Sequence, residues 1–440
     1  MKPRHTSPVS DRRPRASERL FPSFFMGGFE CSTHKLNEAK RLDLTASTQH
    51  DRFARQDYRR LMEQGMRVAR DGVRWHIIER TPGHYDFSSL ESMVRAARDM
   101  EILVIWDLLH FGWPDHYDVF SAEFVPRFAD FAYATAEWLK RNSAAPHWFT
   151  PVNEISWVAW AGGSAGCINP FATDRALELK TQLVGCALAA IRNIREVIPR
   201  VRFTSVDPIV HVVPTPGRPE EIPIAAERNE SKSEAWDMLH GHKSPELGGQ
   251  PNLFDVIGVN FYPHNEWILS EEGRGFIRTD HPNYKPLREL LADVWARYKT
   301  AIYISETGTE DEERVPWLRY VCQEVAAAIE SGVPIEGICL YPIVNHPGWV
   351  DDRHCHNGLW DYADERGERE IYEPLETEIR RWQQVFDAHD RDRISAHTLE
   401  ETLSHEPTPH AGPDSHVMHL TGPLQGCSGQ PGTRRKEDKP

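Results

Sequence analysis

The chain has 440 residues, 40% of them hydrophobic, and a formal net charge of −15. That is room for one barrel-sized domain with tails, and it contains no apolar run long enough to span a bilayer. The acidic balance argues against nucleic acid as a partner, because a phosphate backbone needs a basic face. Seven cysteines without repeated spacing read as reduced thiols of a cytoplasmic protein.

Residues 1–20 are rich in Arg and Pro and lack an apolar stretch behind the charges, so they read as a disordered basic lead rather than a signal peptide. The segment 24–29, with Gly27 and Gly28, suits a first barrel strand and leads to Glu30, Ser32 and His34. Residues 51–64 carry Ala54, Tyr58, Leu61 and Met62 at helical spacing, and Gly65 ends the pattern. A strand is predicted at 66–73, and the alternation then persists, with helices at 88–99, 122–140 and 174–198 and strands at 102–106, 148–152 and 202–206. Further strands are predicted at 256–260, 302–305 and 337–341, and further helices at 233–239, 287–298, 317–330 and 374–386.

Eight strands, each followed by a helix, predict an α/β fold, a single (β/α)8 TIM barrel over 21–387. A doubly wound open sheet is the competing architecture, but no Gly-rich phosphate loop follows a first strand. Past Asp387 apolar periodicity is lost, and 388–440 reads as a disordered tail.

Two strands end in a carboxylate. Residues 302–308 run Ile-Tyr-Ile-Ser-Glu-Thr-Gly, and 147–154 run His-Trp-Phe-Thr-Pro-Val-Asn-Glu. In a barrel both acids, Glu306 and Glu154, would stand on the C-terminal face, where such enzymes keep their chemistry. Two facing carboxylates are the minimum equipment for glycoside hydrolysis, one protonating the leaving oxygen and the other attacking. Either acid alone reads equally well as a solvated strand end; the pair does not.

Other unusual residues gather at the same strand ends: His110 and Trp113 after strand 3, Asn153 after strand 4, Asn260 and Tyr262 after strand 6, and Tyr341, His346 and Trp349 after strand 8. Singly each reads as packing. Together they read as a surface that stacks a sugar and hydrogen-bonds its hydroxyls. Arg70, inside strand 2, must be paired if buried; Glu306 is the natural partner and Asp71 the local alternative. Pairing would keep Glu306 ionised while a drier Glu154 holds its proton. The run His354-Cys355-His356 with Asp351 and Asp352 has metal-ligand types, but three consecutive side chains do not converge on one ion, so no metal is expected.

These residues resemble glycoside hydrolase family 1, the β-glucosidase group of the (β/α)8 retaining glycosidases. Asn153-Glu154 is similar to the family's Asn-Glu-Pro acid/base motif, with Ile155 for Pro. Ser305-Glu306-Thr307-Gly308 resembles its nucleophile motif, with Thr for Asn. Arg70 to Trp75, His110 to Pro114 and Gly258 to Tyr262 resemble its strand 2, 3 and 6 signatures.

The resemblance implies a retaining O-glycoside hydrolase without a cofactor, with Glu154 as acid/base, Glu306 as nucleophile, and carboxyl groups about 5–5.5 Å apart. Arg70, Asn153 and Tyr262 would position the acids, and His34, His110, Asn260, Tyr341, His346 and Trp349 would meet a small-molecule or oligosaccharide glycoside. His34 stands where the family has Gln, and Gly348-Trp349 where it has Glu-Trp. The loss of that Glu removes a charged acceptor, worth about 1.5–3 kcal/mol. A carbohydrate-binding barrel without catalysis, or a transglycosylase using the same pair, would share all of these residues.

Overall fold

The structure is a computed structural model. It describes residues 19–269, 275–277, 279 and 281–403, with side chains to 389. Eight parallel strands close into a barrel: β1 (Phe25–Gly28), β2 (Val68–Gly72), β3 (Leu103–Asp107), β4 (Trp148–Thr150), β5 (Arg202–Pro208), β6 (Val256–Asn260), β7 (Ile302–Thr307) and β8 (Ile335–Leu340). Each strand pairs with its sequence neighbours, and β8 closes on β1 through Met26 opposite Cys339.

Strand alternation sorts the side chains into two cores. Met26, Val68, Ile105, Trp148, Val256, Tyr303 and Cys339 fill the barrel's interior with Phe21, whose ring lies 4.7 Å from that of Trp148. The intervening residues, among them Ala69, Val104, Phe149 and Ile257, face the surrounding helices. These include α1 (His50–Glu63), α2 (Ser88–Asp99), α3 (Phe124–Asn142), α4 (Ile155–Gly163), α5 (Ala176–Val197), α6 (Glu234–His240), α7 (Leu287–Tyr298), α8 (Arg314–Glu330) and α9 (Glu373–Leu403).

The barrel and its strand order are as the sequence implies, and several boundaries move. β7 runs on to Thr307, so Glu306 lies within the strand, and β5 runs on to Pro208, which brings Asp207 onto it. α4 has no counterpart in the sequence reading, because Ile-Ser-Trp-Val-Ala-Trp-Ala-Gly-Gly is apolar on most sides and shows no face. A three-stranded sheet of His211–Pro214, Glu266–Leu269 and Gly275–Phe276 stands beyond the ends of β5 and β6. α9 continues through Leu403, past the Asp387 boundary. The lead at 1–18 and the tail from 404 lie outside the described residues.

Candidate active site

Arg70 organises the inside of the barrel mouth. It is wholly buried on β2, and its Nη1 donates to Glu306 Oε1 at 2.6 Å. Its Nε and Nη2 donate to the two oxygens of Asp107 at 3.1 and 2.7 Å, and Nη2 also reaches Asn153 Oδ1 at 2.7 Å. Burial works against the guanidinium's charge, but Asp107 and Glu306 outweigh it and hold the proton more firmly than usual. Asp71, the alternative partner, faces the other way and binds His50 and Tyr58. Asp107 is the partner the sequence reading missed. It ends β3 in the same strand-terminal position that drew attention to the two glutamates.

Tyr262 donates to Glu306 Oε2 at 2.9 Å, so both oxygens of that carboxylate are held. Gly308, two residues on, is required by space: a Cβ there would lie 2.5 Å from the Tyr341 carbonyl oxygen. Thr307 accepts a bond from Trp317 Nε1 at 2.9 Å.

Glu154 is set on the opposite side. Its backbone is left-handed, with φ 50°, a conformation that costs a non-glycine residue energy and tends to occur at functional sites. Asn260 Nδ2 donates to its Oε1 at 2.8 Å, while Asn260 Oδ1 accepts from Ser305 Oγ at 2.6 Å. One amide therefore ties Glu154 to the strand that carries Glu306. Burial, and then the negative charge of Glu306, raise the Glu154 carboxyl well above the carboxylate range. One acid is thus clamped by a guanidinium, and the other, which feels its negative charge, sits in a site that favours its own proton.

The predicted sugar-lining residues converge on the same mouth. Asn153 Nδ2 faces His110 Nε2 at 3.2 Å; since Asn153 Oδ1 is committed to Arg70, His110 accepts there and carries its proton on Nδ1, toward Asp107 at 3.0 Å. The His110 ring is parallel to that of Tyr341, centroids 6.1 Å apart, and Arg70 lies over Tyr341 at 5.4 Å. His34 is wholly buried among Phe111, Trp157 and Trp349, with the Trp349 ring 4.7 Å away. Both ring nitrogens of His34, and Trp349 Nε1, are buried without a hydrogen-bond partner. Burial lowers the His34 imidazole to about 3, so it stays neutral. Orphaned buried polar atoms are costly, and three of them lie together here.

The sequence reading also passed over Glu30 as a site residue. It is buried at the end of β1 and accepts the Ser32 amide at 2.8 Å. Burial opposes its charge, yet His110 and His346 hold it below the usual range. His346 in turn donates from Nδ1 to the Pro347 carbonyl and meets Asn357 at 3.0 Å. In the run 354–356, Cys355 turns inward, and the His354 ring stacks between His356 at 4.5 Å and Tyr362 at 4.0 Å. Its Nε2 meets Asp361 at 2.5 Å. The ligand-type atoms of His354, His356 and Asp361 lie within 4.8 Å of one another, a grouping that could hold a metal ion, as do those of Cys31, Asp107 and His110.

No family model matches the chain, and no curated protein matches it in sequence. Solved structures do match in shape. A β-glucosidase from Thermotoga maritima in complex with glucoimidazole superposes with a TM-score of 0.67 at 16% identity, over 82% of this chain and 98% of that one. The family 1 β-glucosidase of the same organism gives 0.66 at 15% identity over 82% and 98%, and its complex with isofagomine lactam 0.66 at 15% over 83% and 98%. The chain shares the fold of these β-glucosidases. Among the described residues no helix is long and apolar enough to cross a membrane.

Proposed function

We propose that this chain is a divergent relative of the family 1 β-glucosidases and a retaining glycoside hydrolase. The observation that carries the reading is the unlike setting of two buried acids that feel one another's charge: Glu306 held by Arg70 and Tyr262, and Glu154 with its proton favoured. In the first step Glu154 gives its proton to the glycosidic oxygen as Glu306 attacks the anomeric carbon, forming a glycosyl-enzyme and releasing the aglycone. In the second, Glu154, now a carboxylate, takes a proton from water, which attacks the anomeric carbon and frees Glu306. Arg70 holds the nucleophile in a buried ion pair and Asn260 aims the acid.

His34, Trp349, His110 and Asn153 form the grip on the sugar, with Tyr341 and His346 behind them. Glu30 supplies from the end of β1 the charged acceptor that the resemblance lacks at Gly348, so the sugar is held from a different side of the barrel. A hydroxyl pattern other than that of glucose follows from that shift. Free thiols at Cys31, Cys167, Cys186, Cys322, Cys339 and Cys355 suit a reducing, cytoplasmic setting.

The test is Glu306→Ala assayed on 2,4-dinitrophenyl glycosides with and without azide. Turnover should fall by about 10⁴-fold or more, and azide should restore product as a glycosyl azide of inverted configuration. Unchanged turnover would remove the nucleophile, and with it the double displacement.

A further inference from the structure

A third acid stands behind Glu154. Glu154 is the residue that opens α4, yet its side chain makes no capping bond to the helix. The open amides of a helix's first turn need a partner from somewhere. Here the amides are met from another strand: Asp207, on β5, accepts the Ser156 amide at 3.1 and 3.3 Å and the Ser156 hydroxyl at 2.7 Å. The residue before it, Val206, accepts the Glu154 amide at 2.9 Å and pairs with Asn153 in a parallel bridge. Two consecutive residues of β5 therefore fix the backbone on either side of Glu154, leaving its carboxyl to Asn260.

We infer that Asp207 is a positioning residue for Glu154: it caps α4 in place of the acid and sets a buried negative charge behind it. The inference rests on Glu154 being the acid/base proposed above. Facing Glu154 are Glu306 from β7, Asp207 from β5 and Arg70 from β2; the first two favour its proton and the third opposes it. Facing Asp207 are Ser156 from α4 and Lys180 from α5, whose ammonium is paired with Glu234. Burial raises Asp207 to about 7, with Ser156 and Lys180 working the other way. When Asp207 is ionised, loss of the Glu154 proton would place two like charges together.

The experiment separates charge from cap. Asp207→Asn keeps an oxygen for Ser156 and removes the charge; Asp207→Ala removes both. With phenyl glycosides, whose departure needs an acid, Asp207→Asn should move the basic limb of kcat/KM to lower pH by about 0.5–1 unit, with KM within about twofold. Asp207→Ala should lower kcat on phenyl glycosides by about 10–100-fold and affect 2,4-dinitrophenyl glycosides far less, because their leaving group needs no proton. Titration of Glu154 by carbon NMR in the free protein gives the same comparison without turnover. If wild type cleaves no glycoside, the functional reading fails while this titration still tests the link between Asp207 and Glu154. An unmoved Glu154 titration and basic limb in Asp207→Asn would overturn the inference. So would an equal loss on both substrates in Asp207→Ala.

Discussion

Arg70 and Asp71 are neighbours on β2 that face opposite sides of the barrel wall, and each anchors a buried cluster of charges. On the outer side every charge has an opposite. Asp71 takes His50 Nε2 at 2.8 Å and the Tyr58 hydroxyl at 2.7 Å, while Asp57 takes His50 Nδ1 at 2.9 Å together with Arg60 and Arg369. Burial opposes charge on the His50 ring, but Asp71 and Asp57 prevail and raise it to about 9. On the inner side Arg70 must serve Asp107 and Glu306 at once, Glu154 sits against a like charge, and His34 and Trp349 keep unpaired polar atoms. A cluster whose charges balance only holds the fold together. A cluster that leaves charge and hydrogen-bonding capacity unmatched has free energy to spend on a ligand and a proton.

That contrast can be broken most severely at Arg70. Arg70→Met leaves Asp107 and Glu306 buried without a cation, so unfolding free energy should fall by about 3–5 kcal/mol, measured by urea denaturation, with activity lost as well. Retained stability would mean that the inner cluster relaxes by taking up protons. Glu154→Gln should separate the two properties: deglycosylation should slow by about 10²–10⁴-fold and be restored by azide, while the melting temperature stays level because a neutral amide replaces an acid whose proton is already favoured. A parallel fall in melting temperature would make Glu154 a structural residue.

The outer cluster predicts a pH dependence of stability. The His50 imidazolium is raised from its ordinary 6.5 to about 9 on folding. Its contribution is therefore complete below pH 6.5 and is lost as pH rises through 9, a change on the order of 3 kcal/mol. In His50→Gln that part of the decline should vanish without altering the pH profile of catalysis. A wild-type curve that is flat between pH 6.5 and 9 would show that the ring is not charged in the native state. The smallest effect is expected at Glu30: Glu30→Gln should weaken transition-state binding by about 1.5–3 kcal/mol, read as kcat/KM across a panel of aryl glycosides, and should change the order of preferred sugars. An unchanged order would take Glu30 out of the sugar pocket.

Much of this was legible in the linear chain because it depends on local pattern. Buried parallel strands read as short β-branched and aromatic runs, so β6 was placed at its observed ends and the strand order followed from chain order. Glu154 and Glu306 stood out because a charge that abruptly ends an apolar run is anomalous wherever it occurs. The demand that Arg70 be paired followed from the cost of a buried guanidinium, and the preference for Glu306 from its place at the expected barrel mouth, with Asp71 left as the alternative.

What the chain in one dimension left open is what distance in space decides. Asp107 shares Arg70 only because β2 and β3 lie in register, with Arg70 opposite Ile105 and Gly72 opposite Asp107. Glu30 became a candidate for the sugar pocket only when the closed ring brought the end of β1 toward His110 and His346, and Asp207 gained its place behind Glu154 from pairings that no spacing encodes. α4 was hidden because an element buried on most sides has no polar face to give a period. The sequence by itself determined which residues must be buried, paired or turned toward solvent, since those are local free energies. Only the tertiary structure decided which acids meet and which polar atoms wait unpartnered, because electrostatic coupling depends on separations that closure of the barrel sets.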